Sequence, residues 1–499
     1  MSSSSSSFPD VYAWFLNLPS IVQWKSNSMS MIICGGSTTS YQPSLNLKVT
    51  KNGQSSICFS IEADFNLPIS LWTSKHIKFA NILVSPSIMS SLLNNIIKDE
   101  LKYSPDENAS SITLVVPKIE LVNNFKDTIN FSVLTLAFLV NIYDAPVDVR
   151  SECLNILHEQ LVCSRSREMM KVFIRLLGSN LEEQWMRTMN LAITNYWVSE
   201  NQTVLSRTMS SSLFSYALST SGLWKVQVYC PVVAMDIVKS AHPPLSDERL
   251  RFSLNYHQLE GVIQLNYKVV VREMWVDVIV NIDNIRCDIT RLINESLMRA
   301  RGAGTGEKYF PSRISLQLTP SLQTSILSIS VSKSSDNPTT EIGVEKSIEG
   351  SFEPNSFPGL SVSVGETMTM SLKPWKFEQS VHGNSANLNW FLYDSANGRE
   401  VFSSKPSKTS MFQPKAWFKN RYSKVYRPFT RQGGVIFAQD EYGEKVCWKM
   451  QKNVMGKSMD WELIGFIWLT YWPNKYKTLY TETKRMGFRE TLNLTLSQS

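Results

Sequence analysis

The regular alternation of small or charged residues with aliphatic ones limits the fold of this chain more than any other feature. It runs from Ser325 to Met370, and we call residues 325–370 the ribbon. Its aliphatic positions include Ile329, Val331, Ile342, Val344, Leu360, Val362 and Val364. Because successive side chains of a strand point to opposite faces, the ribbon is predicted to form strands with one aliphatic face and one small or charged face. Its turn is expected near Glu349-Gly350 or within Glu353–Gly359.

Two structures fit this alternation. A transmembrane β-barrel needs apolar residues towards lipid and polar residues towards a water-filled lumen. Such a barrel must be closed, and one hairpin per chain could close it only together with other chains. An ordinary antiparallel sheet with one solvated face shows the same pattern. Lys346, on the aliphatic face, favours the ordinary sheet.

The rest of the chain predicts an α+β fold with an antiparallel β-sandwich in its second half. From Tyr309 onwards, short strand-like runs are separated by Gly, Pro and Asn, which is typical of a sandwich or barrel. Half of the 14 tryptophans lie in this last third and indicate a large packed core. We expect a disordered Ser-rich tail over residues 1–10, a mixed α/β and helical domain over 11–222, and the β-sandwich over 223–499.

Local patterns predict individual elements. Leu45–Val49 and Ile57–Ile61 form a predicted hairpin around Lys51-Asn52-Gly53. Helices are expected over Ser87–Leu101, Val149–Leu177, Leu181–Val198 and Val204–Leu218, and the second of these should end at Gly178. Strands are expected over Arg251–Asn255, Val262–Val271 and Met274–Ile285.

Composition limits the location and the partners. The net charge of +7 is small for 499 residues, which argues against a dedicated nucleic-acid binder. Seven scattered cysteines without a CxxC pair predict free thiols in a reducing compartment. The N-terminus lacks the pattern of a secretory signal, and the longest apolar run, Phe131–Tyr143, is too short to span a membrane as a helix. We therefore expect a cytoplasmic protein, with peripheral membrane attachment as the alternative.

A loop rich in aromatic and basic residues lies between Lys415 and Arg431 and contains no acidic residue. Aromatic rings suit a membrane interface, and basic groups attract anionic headgroups. The same residue types could stack nucleic-acid bases or bind an acidic protein, and they also fit a solvated loop with buried rings. The pattern leaves these alternatives open.

Catalytic and ligand-binding signatures are missing from the sequence. There is no G-x-S-x-G or HExxH motif, and Arg301–Gly306 does not fit a phosphate-binding loop. Glu152, His158 and Cys163 are spaced like no known metal-ligand set and fit a solvated helix face. We expect a non-enzymatic protein without metal or cofactor.

The order of short motifs over residues 250–499 resembles the leukocidin/haemolysin family of β-pore-forming toxins. The motifs are Tyr309–Ser312 leading into Leu316-Gln317-Leu318, the ribbon, Asn389–Asp394, Gly398–Phe402 and Trp461–Trp468. The whole chain also resembles a set of land-plant proteins of unassigned activity that share the stretch Tyr426–Gly434.

The toxin resemblance implies roles for particular residues. The ribbon would correspond to the prestem of the family, and a membrane-facing rim would include Trp390, Tyr393, Lys405, Trp417, Arg421, Tyr422, Tyr426 and Arg427. Arg421 and Arg427 would bind lipid phosphates. The implied function is a membrane-associating protein of plant defence or stress type that oligomerises to a β-barrel pore, with membrane lipid and its own copies as partners. The alternative is a soluble β-sandwich protein that binds a protein partner or acts as a scaffold.

Overall fold

A computed structural model shows an α+β protein with antiparallel sheets. It describes residues 8–35, 43–53, 56–78, 86–106, 125–199, 215–238, 247–302, 309–332, 334, 340–345, 367–372, 375–394, 399–400, 434–437, 445–471 and 482–496.

The first sheet follows a short helix, α1 (Val11–Leu16). Its strands are β1 (Ser28–Gly35), β2 (Ser44–Asn52), β3 (Ser56–Asp64), β4 (Pro68–Thr73) and β5 (Ile77–Lys78). Strands β1 to β4 are adjacent in chain order, and β5 also pairs with β3. The predicted hairpin is confirmed by the antiparallel register of β2 and β3, which ends at Asn52↔Ser56. Helix α1 packs on this sheet, with the Phe15 and Phe59 rings 4.9 Å apart.

A layer of helices follows: α2 (Pro86–Glu100), α3 (Phe125–Asp144), α4 (Val147–Val162), α5 (Ser164–Leu177) and α6 (Ser179–Ser199). Helix α3 is buried on all sides, as expected for an apolar helix without a polar stripe. Among the described helices it is the one apolar enough to cross a bilayer by length and composition, and 89% of that apolar window is buried inside the protein.

Two seven-stranded antiparallel sheets form the β-sandwich. The second sheet contains β6 (Ser215–Thr220), β7 (Leu223–Pro231), β9 (His257–Val271), β10 (Trp275–Arg291), β12 (Ile326–Val331), β18 (Gly434–Phe437) and β19 (Lys445–Gln451). The third contains β8 (Asp236–Ile237), β11 (Tyr309–Pro320), β15 (Trp375–His382), β16 (Ser385–Asp394), β17 (Arg399–Glu400), β20 (Ser458–Tyr471) and β21 (Glu482–Thr495). A separate two-stranded sheet contains β13 (Thr340–Glu345) and β14 (Thr367–Leu372). Short helices α7 (Glu248–Asn255) and α8 (Glu295–Ala300) lie before β9 and before β11.

The strand order places the ribbon at one side of the sandwich. The second sheet runs β12-β19-β10-β9-β7-β6, with β18 beside β10, and the third runs β15-β16-β11-β20-β21-β8, with β17 beside β16. Strands β12 and β15, which flank the β13–β14 hairpin in the chain, are therefore the terminal strands of the two different sheets.

Tryptophans from both sheets meet in the interior of the sandwich. The ring of Trp461 in β20 lies 4.5 Å from Trp448 in β19 and 5.8 Å from Trp224 in β7. All three are fully buried, and large aromatic surfaces of this kind dominate core energetics. The predicted aromatic core is confirmed for these residues, while Trp417 and Trp472 lie outside the described part of the chain.

The single helix predicted over Val149–Leu177 is wrong, because the chain divides into α4 and α5 at Cys163. Cys163 has an extended backbone, with φ −68° and ψ 155°. The Ser166 hydroxyl donates to the Gln160 carbonyl at 2.7 Å and satisfies one acceptor at the end of α4. The predicted end of the second helix is confirmed, since Gly178 follows Leu177 with φ +71°.

Two further predictions near the start of the sandwich are corrected. The described end of the expected helix Val204–Leu218 is strand β6, because Ser215–Leu218 pairs with β7. The sandwich sheets therefore begin at Ser215 and not at residue 223. The expected strand Arg251–Asn255 lies in helix α7, whose N-terminus is capped by the Asp247 carboxylate accepting from the backbone N–H groups of Arg249 and Leu250.

Candidate functional site

The first arm of the ribbon is held to the sandwich by one ladder. Strand β12 pairs with β19, with Ser328 opposite Lys449, Ile329 opposite Trp448 and Ser330 opposite Cys447. In β12, Ile326, Ile329 and Val331 are half-buried against the core, whereas Leu327 and the two serines are exposed. The predicted alternation is therefore confirmed for Ile329 and Val331, which face the core in this conformation.

Two further strands of the ribbon, β13 and β14, pair with each other in an antiparallel ladder. In β13 and β14, Ile342 is opposite Met370 and Val344 is opposite Met368, while Glu345 is opposite Thr367. Since alternate residues of a strand belong to opposite faces, this register assigns even-numbered and odd-numbered positions to separate faces. The positions on one face are Thr340, Ile342, Val344, Met368, Met370 and Leu372, all aliphatic except Thr340, and those on the other are Glu341, Gly343, Glu345, Thr367, Thr369 and Ser371.

The hairpin's register extends the sequence prediction. Sequence alternation identified Ile342 and Val344, and pairing adds the methionines of β14 to the same face. Leu360, Val362 and Val364, the other predicted aliphatic positions, lie outside the described residues.

Strand β15, the first described strand after the ribbon, belongs to the third sheet and contacts β12. The backbone N–H of Gln379 in β15 donates to the Ser334 hydroxyl at 3.1 Å. At the turn after β15, Trp448 Nε1 donates to the Asn384 carbonyl at 3.1 Å, and the Asn384 amide donates to the Gln323 carbonyl at 3.4 Å. These bonds join Ser334 of the ribbon to β15, and they join the turn after β15 to β19 and to Gln323, which lies just before the ribbon.

The predicted membrane-facing rim is corrected at Trp390. This residue lies on the inner face of β16 with 0% exposure, and its ring is 5.0 Å from Phe377. Its inward position follows from the alternation of β16, in which Leu388 is buried on the same face. Trp390 is a core residue in this conformation and does not reach a membrane surface.

The structure does not bring the rest of the predicted rim together. The backbone of Tyr393 pairs with Glu400 of β17. The remaining members, Lys405, Trp417, Arg421, Tyr422, Tyr426 and Arg427, lie outside the described residues.

Aromatic and basic side chains do meet on the outer face of the third sheet. The Arg313 guanidinium lies 4.6 Å from the Phe391 ring and 4.5 Å from the Trp468 ring. Cross-strand pairing extends this row to Lys376 on β15 and Arg485 on β21. Cation–π contacts of this kind stabilise a sheet surface. The sequence prediction missed the row because its members come from five separate strands.

Charged residues also join the helices to the sandwich. Glu490 of β21 is fully buried and accepts hydrogen bonds from Arg167 of α5 and from the Ser215 hydroxyl, the latter at 2.7 Å. Arg187 of α6 holds Glu260 of β9 through two bonds, at 2.8 and 3.2 Å. The apolar pattern of Phe488, Leu492 and Leu494 on the same face could have identified Glu490 as buried.

The solvated helix face expected at Glu152, His158 and Cys163 is confirmed for Glu152 and wrong for His158. His158 is buried, with its ring 5.2 Å from that of Tyr196, and Cys163 lies at the junction of two helices. Across the described ranges, no three His, Cys, Asp or Glu residues are arranged to hold a metal ion.

The structure defines the molecule as an α+β protein with a helical layer and a β-sandwich that carries an edge hairpin. No protein-family model and no curated protein sequence matches it. Among solved structures it is similar to Clostridium perfringens delta-toxin, with 9% identity and a TM-score of 0.23 over 56% of this chain and 96% of the toxin.

Two other similar structures are also of pore-forming proteins. The Clostridium perfringens NetB toxin in its membrane-inserted form has 8% identity and a TM-score of 0.17 over 56% of this chain and 90% of the toxin. A chain named as a pore forming protein has 9% identity and a TM-score of 0.19 over 56% of this chain and 99% of that chain. Similarity at TM-scores this low does not establish a shared function.

Proposed function

We propose that the protein is a non-enzymatic, membrane-associating protein whose ribbon leaves the sandwich, pairs with ribbons of other copies and closes into a β-barrel pore. The observation that carries this proposal is the register of β13 and β14. It assigns Ile342, Val344, Met368 and Met370 to one face and small or acidic residues to the other. A strand between lipid and a water-filled lumen needs this separation.

The ribbon's attachment supports its release. β12 is a terminal strand with one ladder, and β13 and β14 pair with each other in a sheet of their own. An isolated two-stranded hairpin is at most marginally stable in water. Release would therefore break the β12–β19 ladder and leave the central strands of both sheets paired.

Self-association is required by the same geometry. A single hairpin has two open edges, and unpaired backbone groups are strongly unfavourable in lipid. The described strands β13 and β14 have six residues each, so neighbouring residues of the ribbon would have to extend both arms to the 9–11 that a tilted membrane strand needs. The other residues of the predicted membrane-facing rim, without Trp390, would supply the first contact with lipid headgroups.

The second candidate is a soluble β-sandwich protein in which the ribbon is a permanent sheet edge. It is favoured by the half-buried aliphatic residues of β12 and by the backbone bond from Ser332 N–H to the Lys445 carbonyl at 3.0 Å. A cytoplasmic location and a role in plant defence or stress stay predictions under either candidate.

A single substitution separates the two candidates. Ser330 and Cys447 are directly opposite in the antiparallel pair, so Ser330→Cys would create a disulfide between β12 and β19. Opposed Cα atoms in such pairs are about 4.5 or 5.5 Å apart, within the range of about 4.4–6.8 Å found in disulfides. Burial and the nearby Asp277 raise the pKa of the Cys447 thiol, so the oxidation should be done in mildly alkaline buffer.

The assay measures dye release from vesicles of phosphatidylcholine with and without phosphatidylserine. We expect wild type and reduced Ser330→Cys to release dye, and oxidised Ser330→Cys to release none until it is reduced. Ser328→Cys, opposite Lys449, is the matched control, and wild type is carried through the same oxidation. Absence of release by wild type from both vesicle types would refute the membrane function. Unchanged release by the oxidised Ser330→Cys variant would show that β12 does not leave the sandwich.

A further inference from the structure

Two buried cysteines that are 119 residues apart in the chain are in contact. Cys34 in β1 is 4% exposed, and Cys153 in α4 is 0% exposed. The Cys34 Sγ lies 3.5 Å from the Cys153 carbonyl oxygen and donates a hydrogen bond to it. Both are free thiols in this structure.

The local fold fixes the position of Cys34. The ladder between β1 and β2 has a bulge between Ile32 and Cys34, which re-aims the side chains of the strand. Gly35 follows with φ +78°, and a Cβ there would lie 2.4 Å from the Pro43 carbonyl oxygen. The chain is therefore held tightly against β2 immediately after the thiol.

The contact makes the two thiols chemically unequal. The hydrogen bond from Cys34 lowers the pKa of Cys153, and a backbone bond from Leu45 acts in the same direction. The same pairing, together with burial, raises the pKa of Cys34. We therefore take Cys153 as the attacking thiolate and Cys34 as the residue that resolves the intermediate.

We propose that Cys34 and Cys153 form a reversible disulfide that ties β1 to α4 when the protein meets a small-molecule disulfide. The Cys153 thiolate attacks one sulfur of that molecule, its S–S bond breaks, and one small thiolate leaves. Cys34 then loses its proton and attacks the Cys153 sulfur, which releases the second small thiolate. Two protein thiols are oxidised, and the small disulfide is reduced to two thiols that take up the protons.

Access to the buried pair follows from the position of β1. It is the terminal strand of the first sheet, and its one ladder is with β2. Local opening of a terminal strand needs less free energy than global unfolding, so the thiols are reached without loss of the fold. Once formed, the disulfide closes a long loop and should raise the thermal stability of the helical layer and first sheet.

The test uses the full-length protein treated with oxidised glutathione, then alkylated under denaturing conditions and analysed by mass spectrometry. We expect wild type to lose two of its seven thiols and to yield a peptide in which Cys34 is bonded to Cys153. An intramolecular disulfide adds no glutathione mass, which distinguishes it from adducts on the half-buried Cys58, Cys163 and Cys447.

Serine variants provide the controls. Cys34→Ser and Cys153→Ser should keep all six of their thiols free of protein disulfides. Cys230→Ser removes an equally buried cysteine and should still form the bond. Oxidised wild type should melt at a higher temperature than reduced wild type, and this difference should vanish in Cys34→Ser. Retention of seven thiols, or a disulfide between other cysteines, would overturn the proposal.

Discussion

The buried carboxyl of Glu100 gives the sharpest test of the energetics of the helical layer. Glu100 is the last residue of α2 and is fully buried. One oxygen accepts from the Thr135 hydroxyl of α3, and the other accepts from Trp185 Nε1 of α6 at 2.9 Å. Within the described part of the chain, no Lys, Arg or His forms an ion pair with it. Burial, with a further contribution from Asp99, raises its pKa from 4.5 to about 8.

The sign of the resulting pH dependence follows from proton binding. Below pH 4.5 the carboxyl is protonated in both the folded and the unfolded chain, and its full contribution to stability is present. Between pH 4.5 and about 8 only the folded chain keeps the proton, so the free energy of unfolding falls as the pH rises. At about 1.4 kcal/mol per pH unit, the loss reaches about 3 kcal/mol at pH 7.

Glu100→Gln removes this titration and keeps an acceptor for Trp185. Urea unfolding should be measured from pH 5 to pH 8 for wild type and for this variant. We expect similar stability near pH 5 and a gain for Glu100→Gln of about 3 kcal/mol at pH 7, with the difference increasing with pH. The exposed Glu168→Gln is the control and should differ from wild type by less than about 0.5 kcal/mol throughout. A constant difference between Glu100→Gln and wild type across this range would refute the reasoning.

Two further substitutions test the packing and the polar contacts of the sandwich. Gly465→Ala should destabilise the protein by about 1–3 kcal/mol, because the new Cβ would lie 2.0 Å from the buried Phe488 ring. Gly487→Ala is its control and should have a smaller effect, because its Cβ would lie 3.1 Å from the Phe466 ring. Equal losses in urea unfolding would contradict this. Glu490→Gln should lower the free energy of unfolding by about 2 kcal/mol, because it removes the buried carboxylate that pairs with Arg167. The effect is limited because the Arg167 side chain is 21% exposed and stays partly solvated. Glu462→Gln, in an exposed pair with Arg489, is its control and should change stability by less than about 1 kcal/mol.

Local patterns predicted the elements whose own residues determine them. The β2–β3 hairpin, helix α2 and helix α6 follow from alternation, from helical spacing and from the turn at Gly53. The errors arose where a distant partner or a cap decides the structure. Ser215–Leu218 is a strand because β7 is beside it, and α7 is a helix because Asp247 satisfies its first N–H groups. Only the second of these had a local signal.

The strand positions of the candidate site could be predicted where the alternation within one strand identifies a face. They could not be predicted where packing between strands determines which side chains are buried. Ile329 and Val331 lie in β12, and Ile342 and Val344 lie in β13, as alternation predicts, while their role in a membrane ribbon stays a prediction. Trp390 was assigned to a surface through its neighbours in the motif, although its place in the alternation of β16 puts it in the core. The positions of Met368 and Met370 on the aliphatic face follow from the register between β13 and β14. That register can be determined only when both strands are known.

The same register bears on the strongest sequence argument against the membrane proposal, the charge of Lys346 on the aliphatic face. The six described pairs of β13 and β14 are symmetric about position 356, which lies within Glu353–Gly359, the second expected turn. Lys346 and Glu366 lie outside the described residues, and one more pair in this register would set them opposite each other. They are the two charged residues at even positions between 342 and 372. Opposite charges directly across two strands stabilise each other, and pairing is the condition under which charges are tolerated in an apolar environment. Under the membrane proposal, Lys346 and Glu366 are therefore expected to pair across the inserted ribbon, so that the one exception to the alternation is compensated by an opposite charge.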